Sequence, residues 1–81
     1  MHWVYIIKSV NNRYYIGASD NVTRRLNQHN SGRVKSTKSE RPWQLIHTER
    51  YSTLSESRIR EKQIKNWKSR QSIEKLVGLI V

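Results

Sequence analysis

The chain has no cysteine and no phenylalanine, a single proline, three glycines and only six acidic residues in 81. Without cysteine, neither a disulfide nor a thiolate zinc site can staple the fold, and the lack fits a reducing compartment. No apolar run approaches the roughly 20 residues that a membrane span requires. Residues 1–4 lead straight into a strand-like segment and lack the layout of a signal peptide. A soluble, cytoplasmic protein without membrane attachment is therefore expected. Only 35% of the residues are hydrophobic, so the core must be thin and shared by most of the secondary structure. A chain of this length suits one domain, residues 1–81.

The shortage of acid is matched by an excess of base. Sixteen lysines and arginines leave a formal charge of +10. Such a field concentrates and steers polyanions, with nucleic acid first among them. Acidic membrane surfaces and acidic proteins come next, and solubility alone is the plain alternative.

Residues 3–8 are β-branched and aromatic, with apolar side chains on both faces, the pattern of a central strand covered on two sides. Residues 9–12 supply turn chemistry, because Asn11 and Asn12 tolerate left-handed backbone angles. Residues 13–18 return as a second strand, which makes 3–18 a β-hairpin. Tyr5 and Tyr15 share a face only in an even register, as with a three-residue loop at 10–12; a two-residue turn would separate them. The even register is the expectation.

Asp20 or Asn21 caps the next helix, on which Val22, Leu26 and His29 form one stripe with Arg25 beside it. Gly32 is its stop. Residues 33–41 read as a polar, basic and mobile loop. Pro42 then introduces a third strand at 43–51, at a position where proline is tolerated. The capping-box pattern from Thr53 to Glu56 opens a helix over about 54–68. Ser57, Glu61 and Ile64 share a face with Trp67 or Lys68, so Glu61 should be drawn toward the protein body. Ile73, Leu76, Val77 and Ile80 form a last apolar stripe that Gly78 weakens. The expected fold is of the α/β (α+β) class: a three-stranded antiparallel sheet with helices on both faces, in the order β-β-α-β-α-α.

Phosphodiester hydrolysis needs a positioned, deprotonated water, screened phosphate charge and a stabilised leaving oxygen. A magnesium ion keeps several waters, so a single protein carboxylate can suffice. This chain offers one such set: Glu61 for a metal, Arg25 for phosphate, and a tyrosine or His29 for proton transfer.

The segments Val4-Tyr5 and Tyr15-Ile16-Gly17 resemble the two half-motifs of the GIY-YIG nuclease superfamily. The segments at 20–26, 41–43 and 60–67 look like its small stand-alone, UPF0213-like members, so the resemblance covers nearly the whole chain. It implies that Tyr5, Tyr15, Arg25 and Glu61 form a catalytic site, with His29 at the polar position one turn past the arginine. It further implies that Glu61 binds one Mg²⁺ or Mn²⁺ and that a motif tyrosine activates water. The activity implied is a metal-dependent endonuclease on DNA with little sequence specificity. Departures touch activity more than fold. Trp3 stands where the family usually has glycine and would narrow the approach to Tyr5 or add a stacking surface. Val4 replaces isoleucine. Ala18 stands where some relatives place lysine.

Each residue also has a plainer role. The tyrosines can be ordinary strand residues, Arg25 a solvated charge and His29 a polar residue near a cap. Glu61 can be half of an i,i+4 pair with Lys65. His2 and His47 show no ligand spacing. Arg24, Arg33, Lys35, Lys38, Arg41 and Lys65 are candidates to track a nucleic-acid backbone, contacts that position but do not specify sequence. Lys62, Lys68 and Arg70 extend that basic set, whereas Trp43 and Trp67 read as core. Branched, nicked or flapped DNA and a protein partner supplying specificity are the expected extensions. The alternative function is a catalytically silent nucleic-acid-binding module on the same fold.

Overall fold

The computed structural model describes residues 1–79. Strands β1 (His2–Ser9) and β2 (Tyr14–Ser19) are followed by helix α1 (Val22–Asn30), strand β3 (Trp43–Tyr51) and helices α2 (Leu54–Asn66) and α3 (Arg70–Leu76). The sheet order is β2-β1-β3, and both pairings are antiparallel. The order β-β-α-β-α-α and the α+β class are those expected. Ile80 of the expected last stripe lies outside the described residues.

The hairpin takes the even register because residues 10–12 form a three-residue loop. Ser9 N–H donates to the Arg13 carbonyl at 2.8 Å, Asn12 N–H donates to the Ser9 carbonyl at 3.0 Å, and Asn12 sits at φ +64°. This is a turn closed by a left-handed residue, a conformation asparagine adopts at little cost. Tyr5 then lies opposite Gly17 and Ile7 opposite Tyr15, which places both tyrosines on one face.

Two cores result, one on each side of β1. Val4, Ile6 and Ile16 meet Ile64 of α2 and Ile73 of α3, with Leu76 and Val77 packed around them. On the other face Tyr5, Ile7 and Trp43 meet Tyr15, and Val22 and Leu26 of α1. A bulge makes β3 serve both: pairing shifts from Ile6–His47 to Ile7–Leu45, leaving Ile46 as the extra residue. Ile46 packs on the first core while Trp43 is buried in the second.

The local signals at α1 are realised. Asn21 is the cap, accepting from Arg24 N–H at 2.9 Å, while Asp20 instead pairs with the Arg24 guanidinium at 2.7 Å. Gly32, at φ +81°, donates to the His29 carbonyl as Arg33 N–H donates to that of Gln28, which satisfies the carbonyls of the last turn.

Two expectations are corrected. The helix expected over about 54–68 stops at Asn66. Lys68 takes a left-handed backbone at φ +49° and turns the chain into α3; no glycine announces the break. The segment 33–41 is also no free loop. It contains a single 3₁₀ turn at Lys38–Glu40, and Thr37 is only 1% exposed. Polar groups are buried there because each finds a partner. Trp43 Nε1–H donates to the Thr37 carbonyl at 2.9 Å, and Asn30 bridges both backbone groups of Trp43.

Helix α2 is tied to β3 through Glu49, whose carboxylate accepts from Arg60 Nε at 2.8 Å, Tyr51 Oη at 2.8 Å and His47 Nε2 at 2.9 Å. Burial pushes the Glu49 carboxyl up, but the hydrogen bonds from Arg60, His47 and Tyr51 outweigh it and hold the group at about 2. A depressed carboxyl contributes stability that is present above its unfolded value, near 4.5, and lost as pH falls through about 2. Roughly 2–3 kcal/mol is at stake, allowing for the residual exposure of the site. Glu49→Gln is therefore expected to be less stable than wild type at pH 7, with the gap closing by pH 2. Urea titrations across that range measure it, and a gap independent of pH would show that the charge is not the cause.

Candidate active site

The even hairpin register and the path of α2 over the sheet bring together residues far apart in sequence. Tyr5, Tyr15, Gly17 and Ala18 from the hairpin line an open cleft of about 520 Å³. Arg25 enters from α1, and Glu61 with Lys65 from α2. The structure thus gathers four of the expected residues, Tyr5, Tyr15, Arg25 and Glu61, in one cleft.

His29 is placed differently. It is fully buried and does not line the cleft, so the direct phosphate contact expected of it is not available. Its Nε2 lies 2.8 Å from Tyr5 Oη, and its Nδ1 lies 2.7 Å from Thr37 Oγ1. Its ring also sits edge-on to Tyr15, with centroids 4.8 Å apart. The stripe of Val22, Leu26 and His29 faces the sheet, and the last member meets the phenol rather than solvent.

Gly17 has a steric reason to be glycine. A Cβ there would lie 2.4 Å from Tyr5 Oη and 2.5 Å from its ring carbon Cζ. The phenol of Tyr5 lies across the bare backbone of its cross-strand partner, which aims the hydroxyl at His29 and the cleft.

Electrostatics separate the two ends of this contact from their ordinary behaviour. Burial pushes the Tyr5 hydroxyl up to about 12, against the opposing hydrogen-bonding influence and charge of Arg25. Burial, reinforced by the positive charge of Arg25, pushes His29 down to about 4. At neutral pH the pair is a neutral phenol on a neutral imidazole. Arg25 itself donates to Gln28 Oε1 at 2.9 Å.

Glu61 is paired with Lys65, Nζ to Oε2 at 2.6 Å, and the same ammonium lies 6.0 Å from the centre of the Tyr15 ring. Among the described residues no three acidic, imidazole or thiol groups converge as a metal cluster.

Of the basic candidates, Lys65 lines the cleft. Arg24 and Arg33 share a neighbouring groove along the outside of α1, and Arg24 also borders the recess beside Arg25. Lys35, Lys38 and Arg41 are exposed on the segment beyond α1, outside the cleft. The Arg41 guanidinium packs over Gly32 and donates to the Lys38 carbonyl at 2.8 Å. Sequence reasoning missed Arg58, which lines the cleft with Lys62 one turn later on α2; spacing of 58, 62 and 65 along the helix was the available signal. Trp3 borders a separate groove with Val22, Leu45 and Thr48, so it does not narrow the approach to Tyr5. Trp67 is 37% exposed and carries Arg60 over its ring, so it is not core.

This hairpin, helix and cleft define a catalytic-domain class. The chain belongs to the GIY-YIG family: the family model described as the GIY-YIG catalytic domain matches residues 1–75. Its relatives include a UPF0213 protein of Staphylococcus haemolyticus, 39% identical over 74 residues and covering 90% of each chain. A UPF0213 protein of Listeria welshimeri is 46% identical over 57 residues, covering 69% of this chain and 63% of the relative. The solution NMR structure of a UPF0213 protein from Bacillus halodurans superposes with a TM-score of 0.61 at 33% identity, covering 96% of this chain and 83% of that one. The family is one of nucleases. No helix among the described residues is long and apolar enough to cross a membrane.

Proposed function

We propose that this protein is a metal-dependent endonuclease that hydrolyses DNA phosphodiester bonds with little intrinsic sequence specificity. The reading is supported chiefly by one observation: Tyr5, Tyr15, Arg25 and Glu61 converge on a single basic cleft, with Arg58, Lys62 and Lys65 on its wall. Those cations, with Arg24 beside them, suit a phosphate backbone and carry no means of reading bases.

The donor set fits a Mg²⁺ or Mn²⁺ ion. Glu61 provides one carboxylate in an open, wet cleft, and such ions accept a single carboxylate when waters and substrate phosphates complete the shell. That carboxylate already takes one cationic partner, the Lys65 ammonium. When bound, the ion polarises the phosphate and favours departure of the leaving oxygen.

The chain's own residues handle charge and protons. Arg25 holds the non-bridging phosphate oxygens, and Tyr15 positions the substrate from the half-buried side of the cleft. Tyr5 is too disfavoured as a phenolate to act by losing its proton in advance. Instead its Oη accepts the proton of the attacking water while its own proton passes to His29 Nε2, 2.8 Å away. The histidine, neutral at pH 7, is free to receive it. The negative charge building at the phosphate favours the imidazolium so formed.

Cleavage of labelled linear, nicked, flapped and branched DNA with Mg²⁺ or Mn²⁺ tests this, with Glu61→Ala beside wild type. Metal-dependent cutting that vanishes in the variant, with DNA affinity retained, is the expected result. Tight binding without cutting by either protein would instead make this a silent binding module.

A further inference from the structure

We infer that Thr37, on the segment after α1, is a positioning residue that fixes the tautomer of His29 and so makes Tyr5 a proton donor toward the protein interior. This rests on the nuclease reading for its consequence but not for its geometry.

Tyr5 can pass its proton to His29 only if Nε2 is the bare nitrogen of the imidazole. A neutral histidine has one donor and one acceptor nitrogen, and which is which depends on the partner of the other nitrogen. Here that partner is Thr37 Oγ1, 2.7 Å from Nδ1. Threonine could in general donate or accept. In this protein its single hydroxyl proton goes to the Val34 carbonyl, at 3.3 Å. The Thr37 oxygen is left as an acceptor, so Nδ1 carries the hydrogen and Nε2 is bare. The chain of donation runs from Tyr5 Oη to His29 Nε2, then from His29 Nδ1 to Thr37 Oγ1, then from Thr37 to the Val34 carbonyl.

The surroundings hold that order in place. Thr37 is 1% exposed and His29 is fully buried, so water is not at hand to substitute for either partner. The Thr37 carbonyl is held separately by Trp43 Nε1–H, which fixes the backbone whatever the side chain does. Around the ring stand Tyr5 and Tyr15 from the hairpin, Arg25 one turn back on α1, and Thr37. With Tyr5 donating inward, a lone pair of its Oη is turned to the cleft, where it can accept from water. In the other tautomer Nε2–H would donate to Oη, the phenol proton would turn outward, and the path for the water's proton would be closed.

The tautomer is directly readable from ¹⁵N chemical shifts of the His29 ring. Wild type is expected to show a protonated Nδ1 and a bare Nε2 at pH 7, and a protonated Nε2 would overturn the proposal without any variant. Thr37→Val, which keeps the shape and loses the hydroxyl, is expected to shift the ring toward the Nε2–H form. Its kcat should fall roughly 10–100-fold with KM for DNA unchanged, the range seen when a partner that orients a histidine is removed. Thr37→Ser should restore both the tautomer and kcat, and it serves if Thr37→Val does not fold. Unchanged ring shifts in folded Thr37→Val, or failure of serine to restore them, would sink the assignment. If no protein cuts DNA, the nuclease reading fails while the ring shifts still decide the role of Thr37.

Discussion

Tyr5→Phe is expected to lower the rate of DNA cleavage by about 10²–10⁴-fold, the usual contribution of a positioned proton-transfer group. Affinity for DNA should change little, because the hydroxyl points to His29 and the phosphate-facing cations are untouched. The ring remains in its place across Gly17, so the cleft keeps its shape. Stability should fall by about 1–3 kcal/mol, since His29 Nε2 loses its partner in a buried place. Single-turnover cleavage with separate binding titrations distinguishes these quantities. Tyr15→Phe is the comparison, because Tyr15 is half-buried and offers no proton path to the interior. A loss of less than tenfold in Tyr5→Phe would show that the water's proton leaves by another route.

Gly17→Ala is expected to be the most damaging small substitution in the hairpin. The added methyl would lie 2.4–2.5 Å from the end of the Tyr5 ring, far inside contact distance. Tyr5 cannot step aside: it is 1% exposed, its hydroxyl is bound to His29, and Ile7 and Trp43 pack beside it. Overpacking in so tight a core costs about 2–3 kcal/mol, which for a domain of this size lowers Tm by roughly 10–20 °C. Thermal and urea denaturation measure the loss. Tyr5→Phe in the same chain should not rescue it, because the ring carbon at 2.5 Å conflicts as much as the oxygen. Recovery in that double variant would mean that the hydroxyl alone is in the way.

Both predictions turn on a register that could be reasoned out but not read directly. The residues at 9–12 allowed a two-residue or a three-residue turn, and only the second places Tyr5 and Tyr15 together. The central strand was legible because residues 3–8 are apolar on both faces, which only a strand covered twice can afford. The caps at Asn21 and Thr53 and the stop at Gly32 were legible because each solves a local hydrogen-bonding problem with its own side chain or backbone. Glu61 could be placed toward the body of the protein because Ser57 and Ile64, on the same side of its helix, are buried.

The misses share a cause. Segment 33–41 has the composition of a solvated loop, and nothing local shows that Thr37 is buried. Its partners are His29, eight positions earlier, and Trp43, six positions later. His29 looked like a group for the substrate because a histidine one turn past an arginine shares its side of a helix. Rotation of α1 against the sheet turned Arg25 to the cleft and His29 beneath it. The end of α2 at Asn66 was hidden because the left-handed residue that follows is a lysine, whose sequence gives no sign of that backbone.

The sequence by itself determined the central strand, the order of elements, the caps and the surplus of positive charge. These follow from composition, from periodicity and from hydrogen bonds made within a few residues. Only the tertiary structure decided which groups share the cleft, that Tyr5 gives its hydroxyl to a buried histidine, and that Lys65 already sits on Glu61. Those depend on strand register, on the bulge at Ile46 and on how α1 and α2 lie against the sheet. Each is set by packing between residues distant in the chain, where local preference carries no information.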